Sequence, residues 1–436
     1  MRMKYNNNFQ LIALMAIIAF IVSFGCKKDD LSGKTPQVTF ISPLSSEVFN
    51  IYDTVSVNIQ VSHTQIIKRV TLTIVDVGQK PVVSGKSFEI GTSDFKLSEI
   101  LVIEDRYLED NKYFVLIKVE DEFKVFNYWR EIQIRPIDKA IEKLLVVTKS
   151  LNHCKLFGLS GSSSQNILHE WMQDYLQGYA DSRFMKYYIC GNAPSIIRAV
   201  NFDENLTDWE QSFLSGNNHN FIQCFDGVDG YVTIGTAEGI IETFDESGQR
   251  LLRSQIDGSG VFTSIIKSND FVVAAYRQFT DNMSTVYVIN FPAGNIFYST
   301  NILGEVKGII RYDSGDFLLI VQDTERVTAH ILSTTNKQLL FLHELSVPQV
   351  DRVEGNKDNV FIGTINDIFW YRPSTGSSVK YAGDKQNTAF AFDEVNNQLF
   401  VGSGNQILLY ILPQTSSSRI WQFSDQVVDV NIQYNK

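Results

Sequence analysis

The feature that most constrains this chain is a short strand unit that recurs along its C-terminal two thirds. Phe221–Asp245 reads as a strand, a Gly-rich turn, a second strand ending in Ile-Gly-Thr, a tight turn and a third strand. Asn359–Tyr371 and Gln398–Tyr410 repeat its second half as Val-Phe-Ile-Gly-Thr and Leu-Phe-Val-Gly-Ser, each followed by an apolar strand ending in Tyr. The residues opening the second strand of each unit are Leu144, Lys186, Tyr231, Phe271, Phe317, Val360 and Leu399, at intervals of 42, 45, 40, 46, 43 and 39 residues. A fixed period of this size takes precedence over any local reading, because each unit buries its apolar faces only against its neighbours.

A four-stranded propeller blade occupies roughly 40–50 residues, so seven anchors predict seven blades. The first unit, Ile141–Met172, holds only three strand-like runs, and Asp425–Tyr434 is left over at the far end. Pairing the leftover strand with the incomplete unit closes the ring and hides sheet edges that would otherwise template aggregation. The predicted fold class is all-β: a sandwich over residues 36–136, then a seven-bladed propeller over residues 141–436. Abundant Tyr and Phe, few Pro, and turns of Gly, Asn and Asp suit many short strands.

In residues 36–136 the pattern changes to longer alternating strands. Val55, Val57, Ile59 and Val61 alternate with Thr54, Ser56, Asn58 and Gln60, as in a half-buried antiparallel strand. Val70–Val75, Lys112–Glu120 and Arg130–Arg135 add further strands, about seven in all for a sandwich of this size. With its opening Pro-x-Val-x-Phe-Ile-Ser-Pro (Pro36–Pro43) and late Ile117–Asp121 run, the segment resembles the Ig-like modules of bacterial surface proteins. It contains no Cys, so it lacks the intersheet disulfide of antibody domains. The resemblance implies a spacer.

Residues 1–25 read as a targeting segment and stand outside the fold. Arg2 and Lys4 precede the apolar run Leu11–Phe24, which is too short for a comfortable membrane span. The run ends in Ser23-Phe24-Gly25-Cys26, which resembles a bacterial lipobox with Ser where Leu or Val is usual. Lys27-Lys28-Asp29-Asp30 resembles the tether that sends Bacteroidetes-type lipoproteins to the cell surface, and residues 26–35 form that tether. The resemblance implies a lipid on Cys26, attachment to the outer membrane and display at the cell surface, with a periplasm-facing orientation as the alternative. Cys154, Cys190 and Cys224 lie in or beside apolar strands, where buried thiols acting as small hydrophobes are the simplest account. A disulfide between two of them is open.

The formal charge of −11 becomes −13 once Arg2 and Lys4 leave, and no Lys/Arg run is present, which argues against a nucleic-acid partner. The propeller units resemble quinoprotein-like and two-component-regulator-like propellers through the Ile-Gly-Thr ending of the second strand and the Tyr or Phe-Asp that closes the third. That resemblance implies a fold and no particular reaction. The quinone-seating Trp repeat and the Ser-x-Asp-x-Gly-x-x-x-x-Trp sialidase box are absent. The six histidines show no metal-ligand spacing, and neither a nucleophile elbow nor a phosphate loop occurs. No cofactor, no metal and no local catalytic motif is expected.

Propeller geometry supplies the binding expectation. Turns joining the second and third strands gather on one face around the axis. Asn152, Asn192, Glu238, Arg277, Asn366, Asp367 and Asn405 fall on those turns, and converging amides and carboxylates suit hydroxyl-rich ligands. Turn geometry alone also accounts for Asn and Asp there. Trp171, Trp209, Trp370 and Trp421 offer flat platforms for sugar stacking or, more simply, packing between blades. The acid pairs Asp203–Glu204 and Asp393–Glu394 sit in turns, where solvated charge is the ordinary account. The expected function is non-catalytic binding of a glycan or surface protein, with a carbohydrate-cleaving enzyme and a protein-docking scaffold as alternatives.

Overall fold

The computed structural model describes residues 35–436 except 110, 152, 161–163, 173, 193–194, 203–205, 214–220, 281, 314 and 384–385. Cys26 with its tether, Asn152, Asp203 and Glu204 lie outside the described residues. The chain divides into two compact units, Met1–Asp138 and Lys139–Lys436.

The first unit contains β1 (Gln37–Ser42), β2 (Glu47–Asn50), β3 (Thr54–Val75), β4 (Lys86–Val102), β5 (Asn111–Glu120) and β6 (Val125–Arg135). Among the described residues these make one hydrogen-bonded sheet in the order β1-β3-β5-β6-β2, with β4 also paired to β3. The seven short strands expected here are therefore six, two of them long. Val55–Val61 and Val70–Val75 are halves of the single strand β3. Register breaks against β4 between Ser62 and Ile67, and again between Ile67 and Arg69, bend β3 without ending it. The buried side accordingly changes phase, from Val55, Val57, Ile59 and Val61 to Val70, Leu72 and Ile74, as an inserted residue in a period-two strand requires. Both halves feed the same apolar core. β1 pairs with the first half of β3, β5 with the second, and β2 runs parallel to β6.

The second unit contains, among the described residues, seven four-stranded antiparallel sheets. Their inner strands are Gln177–Asp181, Ile222–Val228, Gly260–Lys267, Glu305–Asp313, Arg352–Gly355, Asn387–Asp393 and Gln426–Tyr434. In six sheets the strands follow chain order from inside to outside. In the seventh, Gln426–Tyr434 pairs with Ile141–Ser150, which pairs in turn with His153–Ser160 and then Ser164–Trp171. Each inner strand touches the next, and Gln426–Tyr434 touches Gln177–Asp181, so the contacts form a closed ring. This is the architecture of a β-propeller.

Each sheet buries both faces. In Asp316–Gln322, Phe317, Leu319 and Val321 pack into the core shared with the preceding sheet, while Leu318 and Ile320 pack into the next one. Strands sandwiched in this way read as continuous apolar runs rather than alternating ones. The second-strand glycine has a packing cause. A Cβ on Gly235 would stand 2.8 Å from Phe262, one on Gly363 2.6 Å from Phe390, and one on Gly402 2.8 Å from Val427. All three neighbours belong to the inner strand of the following sheet, so the glycine lets successive sheets approach. Cys190 and Cys224 are buried free thiols; burial also pushes the buried Cys154 thiol up to about 11.

Substituting Gly363→Ala should cost about 1–3 kcal/mol, the range for overpacking a filled interior, measured as the shift in a urea midpoint. An unchanged midpoint would mean that Phe390 yields at no cost.

Candidate functional site

Inner strands begin opposite the ends of second strands: Ile222 faces Thr236 and Arg352 faces Gly363. The turns between second and third strands therefore border the mouth where the inner strands start. Turns between inner and second strands border the other mouth. Between the two lies a cavity of about 940 Å³, lined by residues of all seven inner strands. This volume falls in the range of small-molecule sites.

At the far mouth an ionic strap joins three successive inner strands. Asp226 Oδ2 accepts the Lys267 N–H at 2.7 Å and Arg311 Nη2 at 3.2 Å. Arg311 also donates through Nε and Nη2 to the Lys267 carbonyl, at 3.0 and 2.5 Å. The Lys267 ammonium lies 4.0 Å from the Tyr231 ring centre and 4.2 Å from that of Phe291, and donates to the Ser268 carbonyl at 3.0 Å. Burial lowers the Lys267 pKa and raises that of Asp226, the latter against the pull of Arg311. These groups are committed to one another and hold the mouth open.

Nearer the first mouth Asp429 is 6% exposed. It accepts the Tyr175 hydroxyl, the Gly178 N–H at 3.0 Å and the Val430 N–H at 2.8 Å. Burial raises its pKa, opposed by Arg352 and those donors. Arg352 and Glu354 stand two residues apart on one strand, hence on one face, and both line the cavity. Val353 between them also borders the cavity, and its side chain packs against the neighbouring apolar core and Gly308. Burial pushes the Glu354 carboxyl up to about 7, aided by the charge of Asp429 and opposed by Arg352 and the Gly355 N–H. Among the described residues neither the Glu354 carboxyl nor the Arg352 guanidinium has a side-chain hydrogen bond or close ion pair, although the Arg352 charge acts on both Glu354 and Asp429. No histidine lines the cavity, and among the described residues no cluster of His, Cys, Asp and Glu could hold a metal ion.

The residues expected on the turns sit around this mouth but outside the cavity lining. Arg277 is paired with Glu305 at 2.6 Å. Asp367 is paired with Lys380 at 2.8 Å, and its N–H donates to Thr364 Oγ1 at 2.9 Å. Asn405 Nδ2 donates to the Phe423 carbonyl at 3.0 Å. Asn192 has a buried Oδ1 without a partner among the described residues. Asn366 is exposed. Glu238 is also exposed and borders a separate cavity of about 310 Å³ with Glu242, Arg250 and Arg253. Several of these side chains thus tie their turns to other strands. Leu151, Phe279 and Ile365 project from the same set of turns with 96%, 71% and 61% exposure.

One further expectation changes. Asp393 is no solvated turn acid: it is fully buried and accepts the Tyr434 hydroxyl at 3.0 Å and Asn396 Nδ2 at 2.6 Å. Asp393 and Tyr434 are each the last residue of an inner strand, Asn387–Asp393 and Gln426–Tyr434, and the packing of these neighbouring strands brings the two together. The indoles serve as links: Trp209 Nε1 donates to the Glu246 carbonyl and Trp370 Nε1 to Asn359 Oδ1, each at 3.0 Å. Arg352, Glu354 and Asp429 escape sequence reasoning. The available signal was a charged-apolar-charged triplet inside an inner strand, where apolar residues dominate the outward-packed positions.

No family model matches the chain, and no curated protein does. Among solved structures, a functionally unknown protein from Desulfotomaculum acetoxidans aligns at 11% identity over 67% of this chain and 99% of that one, with a TM-score of 0.51. BamB from Moraxella catarrhalis aligns at 10% identity over 67% and 93%, TM-score 0.42. A quinoprotein alcohol dehydrogenase-like protein from Bacteroides thetaiotaomicron aligns at 9% identity over 91% and 97%, TM-score 0.42. At such identities the likeness is one of fold alone.

The carboxyl of Glu354 generates a pH prediction. Its folded pKa of about 7 lies above the ordinary 4.5, so between these values the folded state holds more protons than the unfolded one. Stability then falls as pH rises through this window, by at most about 3 kcal/mol. Glu354→Gln should raise the thermal midpoint at pH 8 and leave it nearly unchanged at pH 4.5. Equal gains at both values would show that the carboxyl does not titrate in this window.

Proposed function

We propose that this chain is an outer-membrane lipoprotein, anchored through Cys26, that binds a glycan or a surface protein without turning it over. Residues 141–436 act in this reading as a seven-bladed propeller, and residues 36–136 as an Ig-like spacer. The Ig-like assignment draws on β1 and β2 pairing to different strands and on the register breaks that let β3 pair with β1 in one half and β5 in the other, and the spacer role follows only from the resemblance. Surface display is supported by the Lys27–Asp30 tether.

The observation that carries the binding reading is the cavity of about 940 Å³ framed by the inner strands, with fixed polar walls. Most of its charged groups are held by neighbours, as a preorganised recognition surface requires. The cavity offers no His beside a nucleophile and no metal cluster among the described residues. A protein ligand draws support from Leu151, Phe279 and Ile365, which expose apolar surface around one mouth.

A carbohydrate-cleaving enzyme is the second reading. It is favoured by Glu354, a carboxyl raised to about 7 that lines the same cavity as Asp429, since carboxyls facing one cleft can divide acid and base roles.

The chain from Lys27 onward, tested on a broad polysaccharide array, should be retained by at least one glycan without releasing new reducing or unsaturated ends. Cleavage products would replace the binding reading with the enzymatic one. Absence of binding would shift the ligand to a protein.

A further inference from the structure

We infer that the ligand enters the channel itself and that Arg352 and Glu354 bind a neutral, hydroxyl-rich saccharide there. The inference rests on the binding reading above and deepens it. The two side chains share one face of the strand Arg352–Gly355 and line the cavity. Among the described residues neither is taken up by a side-chain partner, whereas Asp226, Arg311 and Asp429 beside them are. A guanidinium fork offers donors only and a carboxylate offers acceptors only. Adjacent sugar hydroxyls both donate and accept, so a diol can satisfy the two groups together.

Charge selects against the alternatives. An anionic ligand reaching Arg352 also meets Glu354, with Asp429 and Asp226 behind it, and Asp429 is within electrostatic reach of both groups. A cationic ligand reaching Glu354 meets Arg352 and, deeper, Arg311. A neutral ligand leaves the balance intact and adds hydrogen bonds to a charged pair that the fold leaves unused. Arg352 is exposed at the start of its strand, so the first mouth is the entrance. Glu354 lies one step further in.

The test uses the full chain and calorimetric titration with short neutral gluco-, manno- and galacto-oligosaccharides, alongside uronic-acid and amino-sugar oligomers. Circular dichroism and thermal midpoints check that each variant folds. Arg352→Ala and Glu354→Ala should each weaken binding of a neutral oligosaccharide about tenfold or more, the scale of a charge-assisted hydrogen bond. Glu354→Gln, which keeps an acceptor, should lose less than Glu354→Ala. Loss of binding in Asn366→Ala or Glu238→Ala, with Arg352→Ala and Glu354→Ala silent, would overturn the channel site and leave the binding module standing. Binding of charged oligomers alone would overturn the ligand class. No binding of any saccharide would overturn the inference and leave a protein ligand. New reducing ends would instead overturn the non-catalytic reading itself.

Discussion

Burial of both faces of every sheet in the second unit is the constraint on which the rest depends. A sheet such as that built on Asp316–Gln322 has no solvent face: Phe317, Leu319 and Val321 need one neighbour, and Leu318 and Ile320 need another. A row of such sheets has two raw ends, each exposing a face made for packing. Curling the row until the ends meet removes both. The joint is made by Val427 and Val430, which share a core with Leu144 and Val146, while the strand that carries them pairs with Ile141–Ser150. Pairing the chain's last strand with the unit's first makes the ring a single cooperative object, since losing one strand uncovers two interfaces.

Closure also dictates what the axis must look like. Seven inner strands pointing one edge toward a common axis cannot fill it with their short alternating side chains, so a cavity remains and water or ligand must solvate its wall. Polar and charged residues gather along this wall. Several are used to tie neighbours together: Arg311 and Asp226 at the far mouth, Asp181 to the Gly230 N–H, Tyr434 to Asp393, and Asp429 to Gly178. Each of these bonds crosses from one sheet to another, where the hydrogen-bond ladders do not reach. They fix the relative placement of sheets whose packing is otherwise non-directional.

The all-β, propeller-type fold was legible because its signal is periodic. The anchors Tyr231, Val360 and Leu399 lie at or beside the start of their second strands, and the Ile-Gly-Thr ending has a cause in the close approach of Phe262 or Phe390. The first unit was less legible, because a bulge changes the phase of a strand without a Gly or Pro to mark it, so Ile67–Arg69 looked like a break between two strands. The candidate site was the least legible part. Its polar groups come one or two per inner strand, separated by some 40 residues, with no spacing for a motif to hold. Asn405 and Asp367 drew notice through turn chemistry, whereas their side chains reach the outer edge of their sheets, at the Phe423 carbonyl and Lys380. Asp393 was misjudged for the opposite reason: a turn acid looks solvated until a Tyr from the next inner strand, 41 residues on, is packed over it.

Glu354 separates structural from functional acids within one wall. Asp429 is also buried, and its three donors oppose its desolvation and tie it to the neighbouring sheet. Asp226 has Arg311 and the Lys267 N–H for the same purpose. Glu354 is near both acids, feels their repulsion, and receives only Arg352 and a neighbouring N–H in return. A fold selected for stability alone has no use for a carboxyl so placed, because an amide or an apolar residue there would relieve the strain. Local rules tend to be broken at functional positions and compensated elsewhere. The same carboxylate that weakens the folded state as pH rises is the acceptor left open toward the channel, and the proposed axial site rests on that coincidence.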